Sequence, residues 1–537
     1  MDYTRLAEML FPEISETPEH YENMFPPRNL PEGAKVTRLG PSPTGFIHLG
    51  NLFGAFADER LAHQSGGVFY LRIEDTDDKR YVDGAVDTII NSLKFFGINF
   101  DEGASADGET GSYGSYTQSM RGPIYRCFAK KLISEGKAYP CFLTEDEINA
   151  IRAEQEQTKQ NPGIYGKWAK SRNLSLKDIE DKLSSGMPYV IRLKSDGDMS
   201  LPEDQIRRFE VEDAIRGTLS MPVNDQDTVL LKANGIPTYH FAHVVDDHLM
   251  RTTHVVRGAE WLASLPIHVE LFEKLGWEPP IYCHTAQLMK LDEDGNKRKL
   301  SKRKDPELSL NFYRNLGYHP AAVREYLLTV LNSNFEEWRT TEKMSNSGAL
   351  FDLNKLNDVS KDVLLRISAS DLFDFLKSWS KEFKPELSHM FDDREYLETI
   401  LDIGRKEAKP RKDHIYAEQI MENISYFFDD MFKITDEFPA EAKDDVSEII
   451  NLYLKSYEHN DTQEEWFGKI RQIATDLGYA AKPKDYKKHP EEYKGHVGHV
   501  STVIRIALMG KSQSPDIWEI QQILGESRTR DRLKNFL

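Results

Sequence analysis

The chain has 537 residues, 69 of them basic and 88 acidic, for a formal net charge of −19. At roughly 150 residues per domain this is three to four domains' worth, and a hydrophobic content of 39% is enough for several packed cores. No apolar run approaches the ~18 residues that a membrane-spanning helix needs, and the net charge repels a polyanion on average, so any nucleic-acid contact has to come from local basic surfaces. Residues 1–10 lack the apolar stretch of a secretory signal and the Arg-rich character of a transit peptide, so cytoplasmic residence is expected. The three cysteines, Cys127, Cys141 and Cys283, show no CxxC spacing. That argues against a disulfide framework or a thiolate zinc site and reads as small core residues.

In chain order, residues 1–34 are rich in Pro and Glu and read as an irregular lead-in draped on the surface. Ala34–Leu39 reads as a strand, Pro41–Gly45 as a turn, Leu52–His63 as a helix closed by Gly66 and Gly67, and Val68–Ile73 as a buried strand. Together they make a right-handed βαβ unit, which opens nucleotide sites at strand C-termini. Helices over Arg126–Glu135 and Thr144–Glu156 then mix with strands at Tyr189–Leu193 and Thr228–Leu231. A second βαβ unit follows, with a strand at His254–Val256, a helix over Trp261–Leu275 ended by Gly276, and a strand at Ile281–Met289. Beyond about residue 310 helix follows helix. Near the end, Ser514 reads as an N-cap, Pro515 as the first helical residue, Gly525 as the stop and Ser527 as the start of a last helix; Lys482, Lys484, Lys487 and Lys488 read as a basic loop.

The fold class is therefore α/β: a doubly wound, Rossmann-like parallel sheet split by an inserted α+β domain and followed by an all-α C-terminal region. The expected divisions are an extension at 1–34, the first catalytic half at 35–111, the insertion at 112–238, the second half at 239–310, a helical stem-contact region at 311–374 and an all-helical region at 375–537.

The chemistry gathers at two loops. In the first, Leu39 to Asn51, the glycines allow close backbone approach, the next helix offers unpaired N–H groups and a positive dipole end to phosphate, and His48 adds a donor. An isolated HxG is more often a tight structural turn; the flanking strand and helix are what favour a phosphate site here. The second, Gly295 to Lys304, reads as a flexible cationic loop directly after a buried strand. A basic loop is usually just solvated, but a mobile Lys at the C-terminal edge of such a sheet reaches the charge that develops on an α-phosphate and on departing pyrophosphate.

His48–Asn51 and Lys299–Arg303 resemble the two signature motifs of class I aminoacyl-tRNA synthetases. More closely, RLGPSPTG (Arg38–Gly45), LRIEDTD (Leu71–Asp77), PTYHFAHVVDD (Pro237–Asp247) and KLSKR (Lys299–Arg303), in this order, resemble the bacterial-type glutamyl-tRNA synthetases. RIALMG (Arg505–Gly510), then Ser514, Pro515 and Arg528–Leu533, is similar to the final helical domain of that family. Two positions depart from the pattern: Asn51 stands where the class motif has a second His, and His243 where some relatives have Asn beside the amino-acid side chain.

The resemblance implies ATP-dependent activation of L-glutamate to the adenylate and its transfer to the terminal ribose of tRNA(Glu), with bound tRNA needed for efficient activation and Mg2+ accompanying ATP. It assigns catalysis to His48, Lys299 and Lys302, ATP binding to Pro41, His48, Gly50, Asn51, Leu300, Ser301 and Lys302, and glutamate binding to Arg38, Ser42, Glu74, Tyr239, His243 and Arg257. Arg38 and Arg257 take one carboxylate each, in either order; an amide would set N–H donors against guanidinium donors. Taken by itself, Glu74 reads as a solvated acidic loop residue and Tyr239 as a core aromatic. The insertion is expected to hold the tRNA acceptor end and residues 375–537 to meet the anticodon. No zinc is expected, and the enzyme is expected to be a monomer. The nearest alternative is a non-discriminating enzyme that also charges tRNA(Gln) with glutamate; further off stand a glutaminyl enzyme, a small-molecule nucleotidyltransferase and a non-catalytic tRNA-binding paralogue.

Overall fold

The structure, a computed structural model, describes residues 1–43, 47–77, 82–105, 107–198, 201–301, 303–331 and 349–537. Two helices open it, α1 (Tyr3–Leu10) and α2 (Pro18–Met24). Asp2 caps the first, accepting from the Arg5 N–H at 3.0 Å, and Thr17 caps the second ahead of Pro18, which sits where a helix needs no donor. Leu6, Ala7 and Leu10 recur at helical spacing and are buried, as are Phe11, Ile14, Tyr21 and Phe25. The opening segment is thus not an irregular surface lead-in. Its short apolar stripe outweighs its prolines and joins the core against the helix Gly122–Ser134.

The chain forms two compact units, Met1–Phe312 with Val323–Leu353, and Tyr313–Ala322 with Asn354–Leu537. In the first, β1 (Val36–Leu39), α3 (Leu49–Gln64), β2 (Val68–Leu71), α4 (Ala85–Phe95), β3 (Glu102–Ser105) and β4 (Gly108–Thr110) follow in turn. β1, β2 and β3 pair in parallel, with β4 antiparallel at the edge. Gly67 is required between α3 and β2, since a Cβ there would lie 1.9 Å from the Lys35 carbonyl oxygen. α3 begins three residues before the expected Leu52 because Asn51 Oδ1 accepts the His48 N–H at 3.1 Å and closes a first turn through Gly50.

Next come α5 (Gly122–Ser134), β5 (Ala138–Cys141), α6 (Glu145–Gln157), α7 (Leu176–Ser184), β6 (Val190–Leu193), β7 (Arg208–Asp213), β8 (Gly217–Pro222) and β9 (Val229–Leu231). The second half follows with α8 (Tyr239–Leu249), β10 (His254–Gly258), α9 (Leu265–Leu275), β11 (Ile281–Thr285), β12 (Leu288–Leu291) and β13 (Lys297–Lys299). β5, β6 and β9 form an antiparallel sheet of their own, whereas β10, β11 and β7 are parallel, with β8 antiparallel beside β7. The β7–β8 hairpin, though inside 112–238, therefore extends the sheet of the second half. The Thr253 N–H donates to the Val36 carbonyl at 3.0 Å, setting the starts of β1 and β10 side by side. The two sheets thus abut along β1 and β10, so that β3-β2-β1-β10-β11 follow the order of a doubly wound sheet, with β7 added beyond β11.

Three expectations in this half need correction. The helix before Gly276 starts only at Leu265, after a 3-10 stretch at Ala259–Ser264; Ile281–Met289 breaks into β11 and β12; and Lys297–Lys299 is a strand paired antiparallel with β12, not a flexible loop after it. Cys127, Cys141 and Cys283 are buried and unbridged.

Beyond these lie α10 (Leu310–Leu316), α11 (Pro320–Leu331), a two-residue β14 (Ala349–Leu350) and helices α12 (Leu353–Arg366), α13 (Ala369–Phe383), α14 (Arg394–Leu401), α15 (Ala417–Ile424), α16 (Val446–Ser456), α17 (Gln463–Asp476), α18 (Pro483–Lys488), α19 (Val497–Met509), α20 (Ile517–Leu524) and α21 (Glu526–Lys534). The helical unit packs around Leu376, Leu397, Ile449, Ile470, Ile504 and Ile520. The expected basic loop at 482–488 is the short helix α18. The N-cap near the end is Asp516, which accepts from Glu519, with Ile517 rather than Pro515 as the first helical residue; α21 starts at Glu526. Among the described residues no helix is long and apolar enough to cross a membrane.

Candidate active site

In a strand, residues i and i+2 share a face. Val36 and Tyr70 pack in one apolar cluster with Val244, Val245 and Leu249 of α8, and Val255 and Tyr282 pack with Leu265 of α9. Two residues further along each strand, at the C-terminal ends, the same face carries Arg38, Arg72, Arg257 and His284, all buried. The alternation that builds the core thus delivers three guanidinium groups and an imidazole to one place.

α8 answers them from above with Tyr239, His243 and Asp247, spaced at i, i+4, i+8 along one helix face. Asp247 accepts from Arg72 at 2.6 Å, from Arg38 Nε at 3.3 Å and from His243 Nδ1 at 2.8 Å. Burial alone would raise its pKa, but Arg72 and Arg38 hold it well below the ordinary carboxylate range. His243 therefore carries its proton on Nδ1, and its Nε2 accepts from the Tyr282 hydroxyl at 3.3 Å. Burial, with the nearby cations, pushes its pKa down to about 3, so the ring is neutral. Tyr239 stacks on it at 5.7 Å and tilts against Trp261 at 4.6 Å.

Glu74 follows β2 and accepts from Arg72 at 2.8 Å. Burial raises its pKa against the pull of Arg72 and Arg38. It crosses Gly40, where a Cβ would meet Glu74 Oε1 at 2.2 Å, so only glycine leaves room for this carboxyl. Arg257 lies near the end of β10: its Nε donates to His284 Nε2 at 2.9 Å and its NH1 to His268 Nδ1 at 3.0 Å. The His268 ring in turn sits 4.4 Å from that of His243 and 5.8 Å from that of Tyr239. Arg38, Glu74, Tyr239, His243 and Arg257 are thereby gathered into one cluster at the C-terminal edge of the sheet. Pro41 joins its margin, its carbonyl accepting the Glu74 N–H at 3.0 Å, and Ser42 is exposed beside it.

His48, Gly50 and Asn51 open α3, and the backbone of His48 bridges to Ser309, just beyond the KLSKR segment. The first loop therefore meets the stretch that follows the KLSKR segment. Lys299 is exposed at the end of β13, Leu300 is buried, and the Ser301 N–H donates to Asp305 at 2.8 Å. Asp305 also takes both NH1 and NH2 of Arg298, at 2.6 and 2.7 Å, which pins the turn. Lys302 lies outside the described residues. Reading the motifs passed over Arg72, Asp247, Asp213, His268 and His284; the signal for the strand members was a charged or polar residue two places after an apolar one at a strand's C-terminal end.

The sheet thus carries the opening of α3, a basic hairpin and a buried cluster of guanidinium, carboxylate and imidazole groups at its strand ends. Residues 35–364 match the family described as tRNA synthetases class I (E and Q), catalytic domain, and residues 371–537 match the anticodon binding domain family. A glutamate–tRNA ligase of Acetivibrio thermocellus is 60% identical over 100% of both chains, and one of Clostridium perfringens is 47% identical, again over 100% of both. The crystal structure of a glutamate tRNA ligase from Elizabethkingia meningosepticum, in complex with its amino acid, superposes with a TM-score of 0.74 at 27% identity, covering 94% of this chain and 99% of that one. The chain belongs to the glutamate–tRNA ligase family.

Proposed function

We propose that the protein joins L-glutamate to tRNA(Glu) in two steps. The glutamate α-carboxylate attacks the α-phosphate of ATP, which enters with Mg2+ on its phosphates, giving glutamyl-adenylate and pyrophosphate. The terminal ribose hydroxyl of the tRNA then takes the acyl group and AMP leaves. The observation that carries this reading is the meeting of Arg38, Arg257, Glu74 and Tyr239 in one buried cluster at the strand ends. Three guanidinium groups there, those of Arg38, Arg72 and Arg257, face two carboxylates, Asp247 and Glu74. That excess of positive charge suits an anionic amino acid, while Glu74 and Ser42 suit its ammonium.

In this reading ATP lies against Pro41, the start of α3 and Leu300–Lys302, where His48 and the free amides of the helix end meet phosphate oxygens. Lys302, helped by Lys299, stabilises charge as it builds on the phosphates, and catalysis is mainly positioning and electrostatics. His243 has both ring nitrogens engaged within the protein, so it shapes the pocket through Tyr239. Residues 112–238 would hold the acceptor end and residues 375–537 the anticodon, and the enzyme would work as a cytoplasmic monomer that needs tRNA for efficient activation.

The test is charging of purified tRNA(Glu) and tRNA(Gln), each with glutamate and with glutamine. Glutamate on tRNA(Glu) is the expected product. Glutamate on both tRNAs makes the enzyme non-discriminating; glutamine as the preferred substrate overturns the reading. Lys302→Ala is expected to lose most tRNA-dependent pyrophosphate exchange while still binding tRNA, because the missing charge acts on the transition state. Unchanged exchange would remove Lys302 from the chemistry.

A further inference from the structure

Arg257 is held in a way that Arg38 and Arg72 are not. Those two give their N–H groups to carboxylates, Asp247 and Glu74, which cancel their charge at close range. Arg257 gives Nε to His284 and NH1 to His268, both imidazole nitrogens. An imidazole lone pair satisfies a donor without neutralising the guanidinium. Burial, with Arg257 itself and neighbouring histidines, holds His268 well below its ordinary pKa and His240 at about 4, so these rings stay neutral acceptors.

The network runs on in both directions and fixes the tautomers. His284 Nδ1 donates to Asp213 at 2.6 Å, which leaves Nε2 free to accept from Arg257. Asp213, at the end of β7, is itself pinned by the N–H groups of Ile215 at 3.0 Å and Arg216 at 2.9 Å. On the other side His268 accepts from Arg257 on Nδ1, so its Nε2 proton points to His240 Nδ1 at 3.0 Å. The ring of Tyr282 lies under the guanidinium at 4.6 Å. With two edges engaged and one face covered, the remaining NH2 of Arg257 is buried and has no hydrogen-bond partner among the described residues. A buried donor without a partner is costly, and a carboxylate satisfies it.

We infer that Asp213, His284 and His268 are positioning residues for Arg257: they lock its plane and leave its charge uncompensated, so that its open NH2 edge meets a carboxylate of the amino-acid substrate. The inference rests on Arg257 being a glutamate ligand. It makes β7, which lies in the segment expected to hold the tRNA acceptor end, a structural support of the amino-acid site.

The experiment measures KM for glutamate and for ATP by charging of tRNA(Glu), with the full-length enzyme and the variants His284→Phe, His284→Gln and Asp213→Asn. The Phe variant keeps the ring volume but removes the acceptor, and about a tenfold or larger rise in glutamate KM is expected with ATP KM little changed. The Gln side-chain oxygen can accept from Arg257 and is expected to recover much of the loss. Asn at 213 still accepts from His284, so a rise of about two- to fivefold is expected. If His284→Phe does not fold, the Asp213→Asn variant is compared with the parent directly, and a glutamate KM equal to the parent's overturns the inference. So does a folded Phe variant with unchanged glutamate KM, with glutamate and ATP KM raised in proportion, or with no recovery in Gln. A parent enzyme that fails to charge glutamate would refute the proposed function instead.

Discussion

Asp247 is the residue on which the buried charges balance, taking contacts from Arg72, Arg38 and His243 at once. Asp247→Asn keeps the shape but leaves the guanidinium groups short of a counter-charge, and breaking a buried pair in this way costs about 3–5 kcal/mol. The expected result is an earlier urea transition of the catalytic unit, read at neutral pH. Gly40→Ala is a gentler probe: its Cβ must displace the Glu74 carboxyl. Glutamate KM is expected to rise while ATP KM holds. The histidines set the acid limit. His240 and His243, pushed down by burial to about 4 and about 3, remain neutral in the fold but take up a proton near pH 6.5 once unfolded. The unfolded chain thus binds more protons below that pH, and the stability they contribute, complete above pH 6.5, falls by about 1.4 kcal/mol per pH unit for each ring as pH drops toward the folded values. Urea denaturation at pH 7.5 and 5.5 measures this, and His243→Asn is expected to flatten the slope; equal slopes would contradict it.

At the scale of elements, the strands were the most legible part. β1 and β2 lie within the apolar runs that mark them, and the motifs at their C-terminal ends are where the cluster forms. What was not legible follows from competition between local signals. Gly50 falls in the loop ahead of the helix expected from Leu52, yet Asn51 closes a helical turn across it. Prolines and acids made residues 1–34 read as loop, although three apolar residues at helical spacing decide the matter. Lys297–Lys299 reads as mobile because it is charged, whereas pairing with β12 makes it a strand and Arg298 with Asp305 fastens the turn that follows. The contacts of Arg257 with His268 and His284, and of His284 with Asp213, were not legible, since they join separate elements 11, 27 and 71 residues apart. Asp305→Ala is expected to slow tRNA-dependent pyrophosphate exchange by about ten- to a hundredfold through misplacement of the KLSKR segment. An unchanged exchange rate would mean that the turn holds without the pair.

For the whole molecule, the opening helices tie the catalytic unit together from outside the matched family region, which starts at residue 35. Arg28 donates to Glu102 at the start of β3 at 2.8 and 3.0 Å and to the Met250 carbonyl at the end of α8 at 3.0 Å, and it stacks over Tyr113 at 3.8 Å. Removing residues 1–34 would bare the apolar face of α5 and release α8, which carries Tyr239, His243 and Asp247. The truncated chain is expected to unfold at a lower temperature or to aggregate, and full thermal stability would show that the extension is dispensable. In the proposed function, the buried cluster at the strand ends receives the glutamate. Pyrophosphate exchange with tRNA(Glu) present, followed against glutamate concentration for the parent and for Arg38→Ala, tests it most directly. A sharply raised glutamate requirement in the variant, with ATP dependence intact, is the expected result; a glutamate dependence that coincides with the parent's would contradict the account.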